Sequence, residues 1–375
     1  MSAEPRHVLQ LCHSYGAPFT DVTCQWARLF AGRGWRMTTV YLTGEADAEV
    51  VRRSGGDEVL FLGFDSRQVR GLKLAALWKL RQLQQTQGFS LAIAHRFKPI
   101  YACCLALDIP VIGVHHAYGD YQRLGRRLFA GAFATRLALL GVSDAVRDDL
   151  RSCLPHWPAE RIGTQYNHVE RAALQARQQP RDEARRALDL PHHAYVFGNV
   201  GRLHPDKDQA TLIRAFAGLQ PADALLAIAG HGRLDDSLKA LAAELGVADR
   251  VRFLGQVPGM DRYFRAFDSF VLSSDHEPFG MVLLEAMAAE IPVVASDCGG
   301  AREVVAAAEW RFPLGDTDTL CSRMHAVRAL HDGARTDLVR AQLAHLEAHF
   351  SLAAARRQFW EQACMQPWSE DDARL

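Results

Sequence analysis

The sequence lacks an uninterrupted apolar run of the ~20 residues that a membrane-spanning helix needs. Its longest such stretch, residues 128–142, is shorter and is broken by Arg136. The eight cysteines (12, 24, 103, 104, 153, 298, 321 and 364) contain no Cys-x-x-Cys pair and lie mostly in apolar segments, so they read as free buried thiols of a reducing compartment. No His-Glu-x-x-His or comparable spacing occurs among the histidines, which leaves a zinc site unsupported. Low-complexity tracts and internal repeats are absent, which argues against a disordered chain or a solenoid. The opening Met-Ser-Ala-Glu-Pro-Arg-His carries an acid and a proline and runs directly into a short apolar segment, unlike a secretory leader. The expected location is cytoplasmic, at most peripheral at the inner face of the cytoplasmic membrane.

What is present is a chain of 375 residues, too long for one ordinary core and suited to two domains. Basic and acidic residues balance at 43 each, but unevenly: residues 1–178 carry 22 basic against 15 acidic, and the remainder 21 against 28. A basic first half attracts an acidic or membrane-surface partner at long range, although variation in surface composition would look the same. No nucleic-acid partner is expected.

Short apolar runs recur at residues 7–11, 37–42, 59–62, 91–94 and 111–114, with helical periodicity between most of them. Strands apolar on both faces belong to parallel sheets covered by helices on each side. After a polar, helix-prone stretch over 170–190, punctuated by Pro180 and Pro191, the pattern restarts at 195–200, 225–229, 251–253, 269–272 and 292–295. The predicted fold is α/β, with two Rossmann-like doubly wound parallel-sheet domains, 1–178 and 190–350, facing across a cleft. A helical segment in 351–375 follows. Ligands of such sheets bind at the carboxyl ends of the strands.

The most informative segment is DHEPFGMVLLEAM, residues 275–287. Pro278 fits an early helix position, Gly280 lets a ligand approach the backbone, and the amides of a helical first turn suit a phosphate. Glu277 would lie in the loop near that ligand, with Glu285 about two turns along. An ordinary amphipathic helix would carry such a pair on its solvated face. Glu285, however, stands between Leu284 and Ala286-Met287 in an almost unbroken apolar stretch, where a carboxylate needs partners. The second segment, VGRLHPDKD over 200–208, sets Arg202 and Lys207 at a strand end. Alone they would be solvated surface; beside the glutamate pair they can neutralise a departing diphosphate, the work a divalent ion does in other enzymes.

With these segments the sequence resembles the retaining glycosyltransferases built from two Rossmann-like domains (GT-B), numbered family four or group 1. The resemblance is strong over residues 196–305. EPFGMVLLEAM carries the family's two glutamates separated by seven residues, Gly201-Arg202…Lys207 its Gly-Arg…Lys, and AGHGRLDDSL its Gly-x-Gly turn. The resemblance implies that Arg202 and Lys207 bind the diphosphate and Glu285 the ribose. It implies that the amides of Phe279, Gly280, Met281 and Val282 meet the phosphates or donor sugar, that Glu277 holds sugar hydroxyls near the reacting carbon, and that Gly255 and Val257 line the base pocket. It further implies retention of anomeric configuration, with no metal and no cofactor beyond the donor, a nucleotide-diphosphate sugar. UDP-hexose is the commonest donor in the family; the residues leave GDP and ADP open. In the first half, IPVIGVHHAYG resembles the family's strand followed by a histidine and favours His115 over His116 at the donor sugar, a lone histidine there being otherwise structural. The first loop, SYGAPF over 14–19, departs from the family's paired glycines and offers only Gly16 for a phosphate contact.

Asp206-Lys207-Asp208 and Asp316-Thr317-Asp318 match the Asp-x-Asp metal signature of a different glycosyltransferase architecture. The first overlaps the diphosphate lysine, and Asp316 suits a helix cap. Gly230-His231-Gly232 starts like a dinucleotide fingerprint without its third glycine. Two basic amphipathic stretches, 67–82 (Arg70, Lys73, Lys79 and Arg81 among Leu72, Leu74, Leu77 and Trp78) and 123–136 (four arginines with Leu128, Phe129 and Phe133), suit either an anionic bilayer or a core-facing helix, and the second is preferred. The expected acceptor is a glycan or glycolipid, anionic or membrane-borne, such as a lipopolysaccharide core. The rivals are a nucleotide-sugar epimerase on the same plan and a non-catalytic nucleotide-sugar-binding subunit.

Overall fold

The apolar runs become two parallel sheets. A computed structural model describes residues 6–16, 19–65, 67–69, 71, 73–220 and 223–369, and the chain divides into unit 1, Met1–His168 with Leu352–Leu375, and unit 2, Val169–Ser351. Unit 1 holds β1 (Arg6–Cys12), β2 (Trp35–Thr43), β3 (Glu58–Phe64), β4 (Leu91–His95), β5 (Val111–His115), β6 (Leu137–Gly141) and β7 (Ile162–Thr164), in the order β3-β2-β1-β4-β5-β6-β7. Unit 2 holds β8 (Tyr195–Val200), β9 (Ala224–Ala229), β10 (Val251–Gly255), β11 (Ser269–Leu272), β12 (Val293–Ser296) and β13 (Arg311–Phe312), in the order β10-β9-β8-β11-β12-β13. Both sheets follow the doubly wound order, whose direction reverses between β1 and β4 and between β8 and β11. β4, β5, β6 and β9 are buried along their whole length, as strands covered on both faces must be. Among the described residues no helix is long and apolar enough to cross a membrane.

The division between units falls at 168/169, not within 178–190. The polar stretch read as a linker forms the helices Arg171–Arg177 and Arg181–Ala187 of unit 2. Arg185 explains the difference. Its fully buried guanidinium donates to the carbonyls of Ala266 (2.9 Å), Pro191 (2.8 Å), His192 (2.9 Å) and Ala194 (2.8 Å), and pairs with Asp268 at 2.7 Å. Asp268 in turn accepts the Val196 N–H at 2.7 Å, so the helix is anchored to β8 by charge and hydrogen bonds rather than by an apolar face. Arg185→Met is expected to cost about 3 kcal/mol, the low end for breaking a buried ion pair because Asp268 keeps some access to water. A lowered urea midpoint checks it; a midpoint equal to wild type would refute the anchor.

The helix Leu352–Trp360, placed in unit 1 although it follows unit 2 in sequence, lies on the helix Phe19–Phe30. Phe359 meets Trp26 at 5.5 Å between ring centroids and Trp360 meets Phe30 at 5.4 Å, while the Trp360 indole N–H donates to Leu29 O at 3.1 Å.

Candidate functional site

β8 and β11 are neighbours at the switch point of unit 2, and their carboxyl-terminal loops carry the two segments singled out in the sequence. The loop after β8 ends at Asp208, held at φ 40°, whose carboxylate caps the helix Gln209–Ala217 by accepting the Thr211 N–H at 3.3 Å. The loop after β11 is tied to it: Asp275 N–H donates to Asp206 O at 3.1 Å and Ser273 Oγ to Lys207 O at 2.9 Å. These bonds bring Lys207 Nζ within 2.7 Å of Glu277 Oε2, which also accepts from Ser274 Oγ at 3.1 Å. Both members are largely buried, with side chains 18% and 9% exposed. An ammonium has three donors, so the bond to Glu277 leaves capacity for an anion. Ser274 escaped the sequence reading, although a serine pair closing an apolar strand ahead of Asp-His-Glu was its signal.

Arg202 is 71% exposed and only loosely tethered, 3.4 Å from Asp206, so its guanidinium is free to swing. The helix Met281–Ala288 starts at Gly280, φ 101°, which supplies no capping side chain. Gly300 packs tightly under this loop: its N–H donates to Glu277 O at 2.9 Å, and a Cβ there would sit 2.4 Å from Phe279 Cα. First-turn amides at Met281 and Val282 therefore start a helix that no side chain caps, the arrangement that binds anions. Glu285 lies half-buried in its second turn between buried Leu284 and Ala286. Gly255 closes β10 at φ 65° and accepts the Gly230 N–H at 2.8 Å, with Val257 half-buried two residues on. A Cβ at Gly230 would fall 1.8 Å from Gly201 O, and one at Gly232 would fall 2.2 Å from Leu203 O. The Gly-x-Gly turn therefore lets the loop after β9 rest on the loop after β8, which accounts for its partial likeness to a dinucleotide fingerprint. Asp316 caps the helix Thr317–Arg328, accepting from Thr319 N–H at 2.9 Å and Thr319 Oγ1 at 2.7 Å.

In unit 1, His115 ends β5 fully buried, its Nδ1 2.7 Å from Asp120 and its Nε2 without a partner. Burial works against the Asp120 carboxylate, but His115 and Arg126 outweigh it and hold the carboxyl below its usual range. The next residue, His116, is only half-buried. Its Nε2 lies 3.1 Å from His95 Nδ1, and His95 Nε2 lies 3.2 Å from Gln10 Oε1. Burial holds His95 neutral, with a pKa lowered to about 3. Gln10 Oε1 then accepts the His95 Nε2–H, and His95 Nδ1 accepts the Nε2–H of His116. Of the two residues, His115 is fully buried and His116 partly so. Gly16 is exposed, with nothing within 4 Å of the place a Cβ would take, so the loop does not require a glycine there. Ala17 and Pro18 of that loop, and Arg70 and Leu72 of the first basic stretch, lie outside the described residues.

The basic stretches become the helices Leu74–Gln87 and Leu124–Ala132. The preferred core-facing reading holds only in part. Ala76, Leu77, Leu80 and Ala130 point inward, but Leu74, Trp78, Leu124 and Leu128 are 61–69% exposed.

Residues 180–327 match the family model of the glycosyl transferases group 1, and residues 21–172 match that of glycosyltransferase family 4. The D-inositol 3-phosphate glycosyltransferase of Salinispora tropica is 43% identical over 135 residues, 32% of this chain and 28% of that protein. The lipopolysaccharide core biosynthesis glycosyltransferase LpsE of Rhizobium meliloti is 41% identical over 116 residues, 31% of this chain and 34% of that protein. These matches thus span only about a third of the relatives' own length. Among solved structures, a glycosyltransferase from Rickettsia africae superposes with a TM-score of 0.83 at 14% identity, covering 96% of this chain and 98% of that one. Anabaena Alr3699/HepE, in complex with UDP and glucose, superposes with a TM-score of 0.74 at 21% identity, covering 94% and 98%. Likeness at these identities speaks for the fold, while the two family models, one matching mainly within each unit, settle the grouping: the chain belongs to the group 1, family 4 glycosyltransferases.

Proposed function

We propose that the protein is a retaining, metal-independent hexosyltransferase that takes its sugar from a UDP-sugar held by unit 2 and delivers it to a saccharide acceptor on unit 1, in lipopolysaccharide core or other cell-surface glycan synthesis. The observation that carries this reading is the Lys207–Glu277 pair at the β8/β11 switch point, beside a helix that no side chain caps. Lys207 and Arg202 bind the diphosphate, and the amides of Phe279, Gly280, Met281 and Val282 bind its phosphates or the sugar. Glu285 holds the ribose, Gly255 and Val257 flank the base, and Glu277 orients the sugar hydroxyls. In unit 1 this reading assigns Gly16 and His115 to the donor. The acceptor hydroxyl attacks the anomeric carbon on the face that the diphosphate leaves. Its proton passes to the departing phosphate oxygen while Lys207 and Arg202 stabilise the negative charge developing there. The base is taken as uracil from the UDP bound by Alr3699/HepE, and the acceptor class from LpsE.

Bound donor stabilises the folded chain by mass action, by about 2.7 kcal/mol at a hundredfold excess over Kd. UDP is therefore expected to raise the melting temperature more than GDP or ADP. A chain indifferent to all three nucleotides and their sugars is not a nucleotide-sugar transferase.

The acceptor is membrane-borne in this reading, and unit 1 rests on the anionic inner leaflet through Leu74, Trp78, Leu124 and Leu128, ringed by exposed Lys79, Arg81, Arg123 and Arg127. Trp78→Ser with Leu128→Ser is expected to weaken sedimentation with phosphatidylglycerol-rich vesicles by about tenfold, the scale set by losing partial burial of two large apolar side chains. Unchanged sedimentation would remove the membrane from the proposal and leave the transferase untouched.

A further inference from the structure

The carboxyl ends of β1 and β4 form the switch point of unit 1, the counterpart of the edge that carries Lys207 and Glu277 in unit 2. The register pairs Leu11 with Ala94, so His13 and Arg96 leave the sheet side by side, two residues further on. Arg96 holds φ 71° and ψ 164°, a conformation nearly confined to glycine and worth about 1–3 kcal/mol of strain. Its N–H is fixed to Val114 O at 2.8 Å and its guanidinium lies 4.9 Å from the Phe19 ring. Arg96 also precedes the ten-residue helix Phe97–Ala106, which has no side-chain cap and carries Lys98 in its first turn. Lys73 comes from another direction: its Nζ is 4.3 Å from the ring of Tyr101, one turn beyond Lys98 on the same helix.

These cations surround His13, whose Nδ1 is buried without a hydrogen-bond partner. Burial, then the charges of Lys98, Arg96 and Lys73, hold His13 below the usual histidine range. Lys73 is likewise lowered, by burial and then by Lys98. Among the described residues none of Lys73, Arg96 and Lys98 forms an ion pair with a carboxylate. Arg96 and Lys98 are exposed and Lys73 Nζ donates to Gly71 O at 2.9 Å, so these like charges are eased by solvent and one carbonyl and not by a carboxylate.

We propose that this edge of unit 1 binds the oxyanion of an anionic acceptor, a phosphate or carboxylate carried by the acceptor sugar, through Arg96, Lys98 and Lys73, with the Phe19 and Tyr101 rings beside it. The inference rests on the transferase reading, because it names the class of acceptor. Arg96 supplies a planar fork suited to paired oxygens, the two lysines supply point charges, and the first turn of the helix adds the amides of Phe97 and Lys98, Pro99 having none.

The test is binding of glucose 6-phosphate, glucuronate and glucose by calorimetry, with UDP saturating so that the phosphate site at Lys207 is filled. At least one anionic sugar is expected to bind about tenfold or more tightly than glucose, and the preferred one tells phosphate from carboxylate. Arg96→Gln with Lys98→Gln is expected to erase that preference. Arg96→Gly, which relieves the backbone strain and so protects the fold, is expected to weaken it. The melting shift with UDP serves as the internal control for unit 2. Glucose binding as well as both anions, or undiminished preference in the double variant, overturns the proposal. A chain that ignores UDP yet binds an anionic sugar through Arg96 and Lys98 loses the donor assignment and keeps this one.

Discussion

Lys207→Ala is expected to lower kcat by about 10²–10³-fold, the loss typical of removing one preorganised donor from a developing oxyanion. The magnitude follows from where the ammonium sits. With its side chain 18% exposed and one bond of 2.7 Å to Glu277, it acts in a setting far less screened than bulk water. Its position is set by the backbone on both sides, through the Ser273 and Asp275 bonds between the two loops, so little reorganisation is needed as charge moves onto the phosphate. Steady-state transfer from UDP-sugar and hydrolysis without acceptor both report the loss, because both need the diphosphate to depart.

The same substitution takes the ammonium away from Glu277, which keeps its bond from Ser274 Oγ. A buried carboxylate that loses its cation costs stability, here about 2–3 kcal/mol, somewhat under the value for a fully enclosed pair. Activity and stability can be separated. Lys207→Ala with Glu277→Gln removes the buried negative charge that has lost its cation, so its melting temperature is expected to return most of the way to wild type. Its kcat is expected to stay at the level of Lys207→Ala or below. Recovery of kcat along with stability would mean that Lys207 acts by holding the fold and not by stabilising the leaving group.

The sheet architecture was legible because each long strand is a short apolar run between helices, and most predicted ends lie within one or two residues of those observed. β6 was not, because it directly follows the helix Leu124–Ala132 inside a single apolar stretch in which only Arg136 marks a change of element. β7 and β13, of three and two residues, are too short to show any period. The unit boundary failed for a different reason. A helix anchored by Arg185 to carbonyls and Asp268 has no apolar stripe, so its sequence looks like solvated linker. At the candidate site, the strand ends and loops that carry Arg202, Lys207 and Glu277, and the helix that carries Glu285, were readable in the sequence. The Lys207–Glu277 contact was not, since it depends on two loops 70 residues apart in sequence being tied at Asp206 and Ser273. Adjacent His115 and His116 face opposite ways from one strand end, and only the pairing with Asp120 and His95 decides which is sealed.

Gly230→Ala is expected to be the most destabilising single substitution in unit 2, at about 4 kcal/mol or more. Two effects add. Gly230 holds φ 147°, where a side chain is strained, and its Cβ would lie 1.8 Å from Gly201 O. The obstacle is backbone, so no rotamer relieves it. To make room, the loop after β9 must lift from the loop after β8, breaking the bond from Gly230 N–H to Gly255 O or displacing Gly201, which is held to Ala229 O at 2.9 Å. Either shift moves the loop after β10 or the segment that carries Arg202 and Lys207, so the melting shift with UDP is expected to vanish along with the stability. Gly246→Ala is the matched control: φ is 69°, but nothing lies within 4 Å of the new Cβ, so only the backbone strain of about 1 kcal/mol remains. Comparable melting temperatures for the two variants would show that the loops do not rest on one another at Gly230, and the stitched edge that positions Lys207 would have to be redrawn.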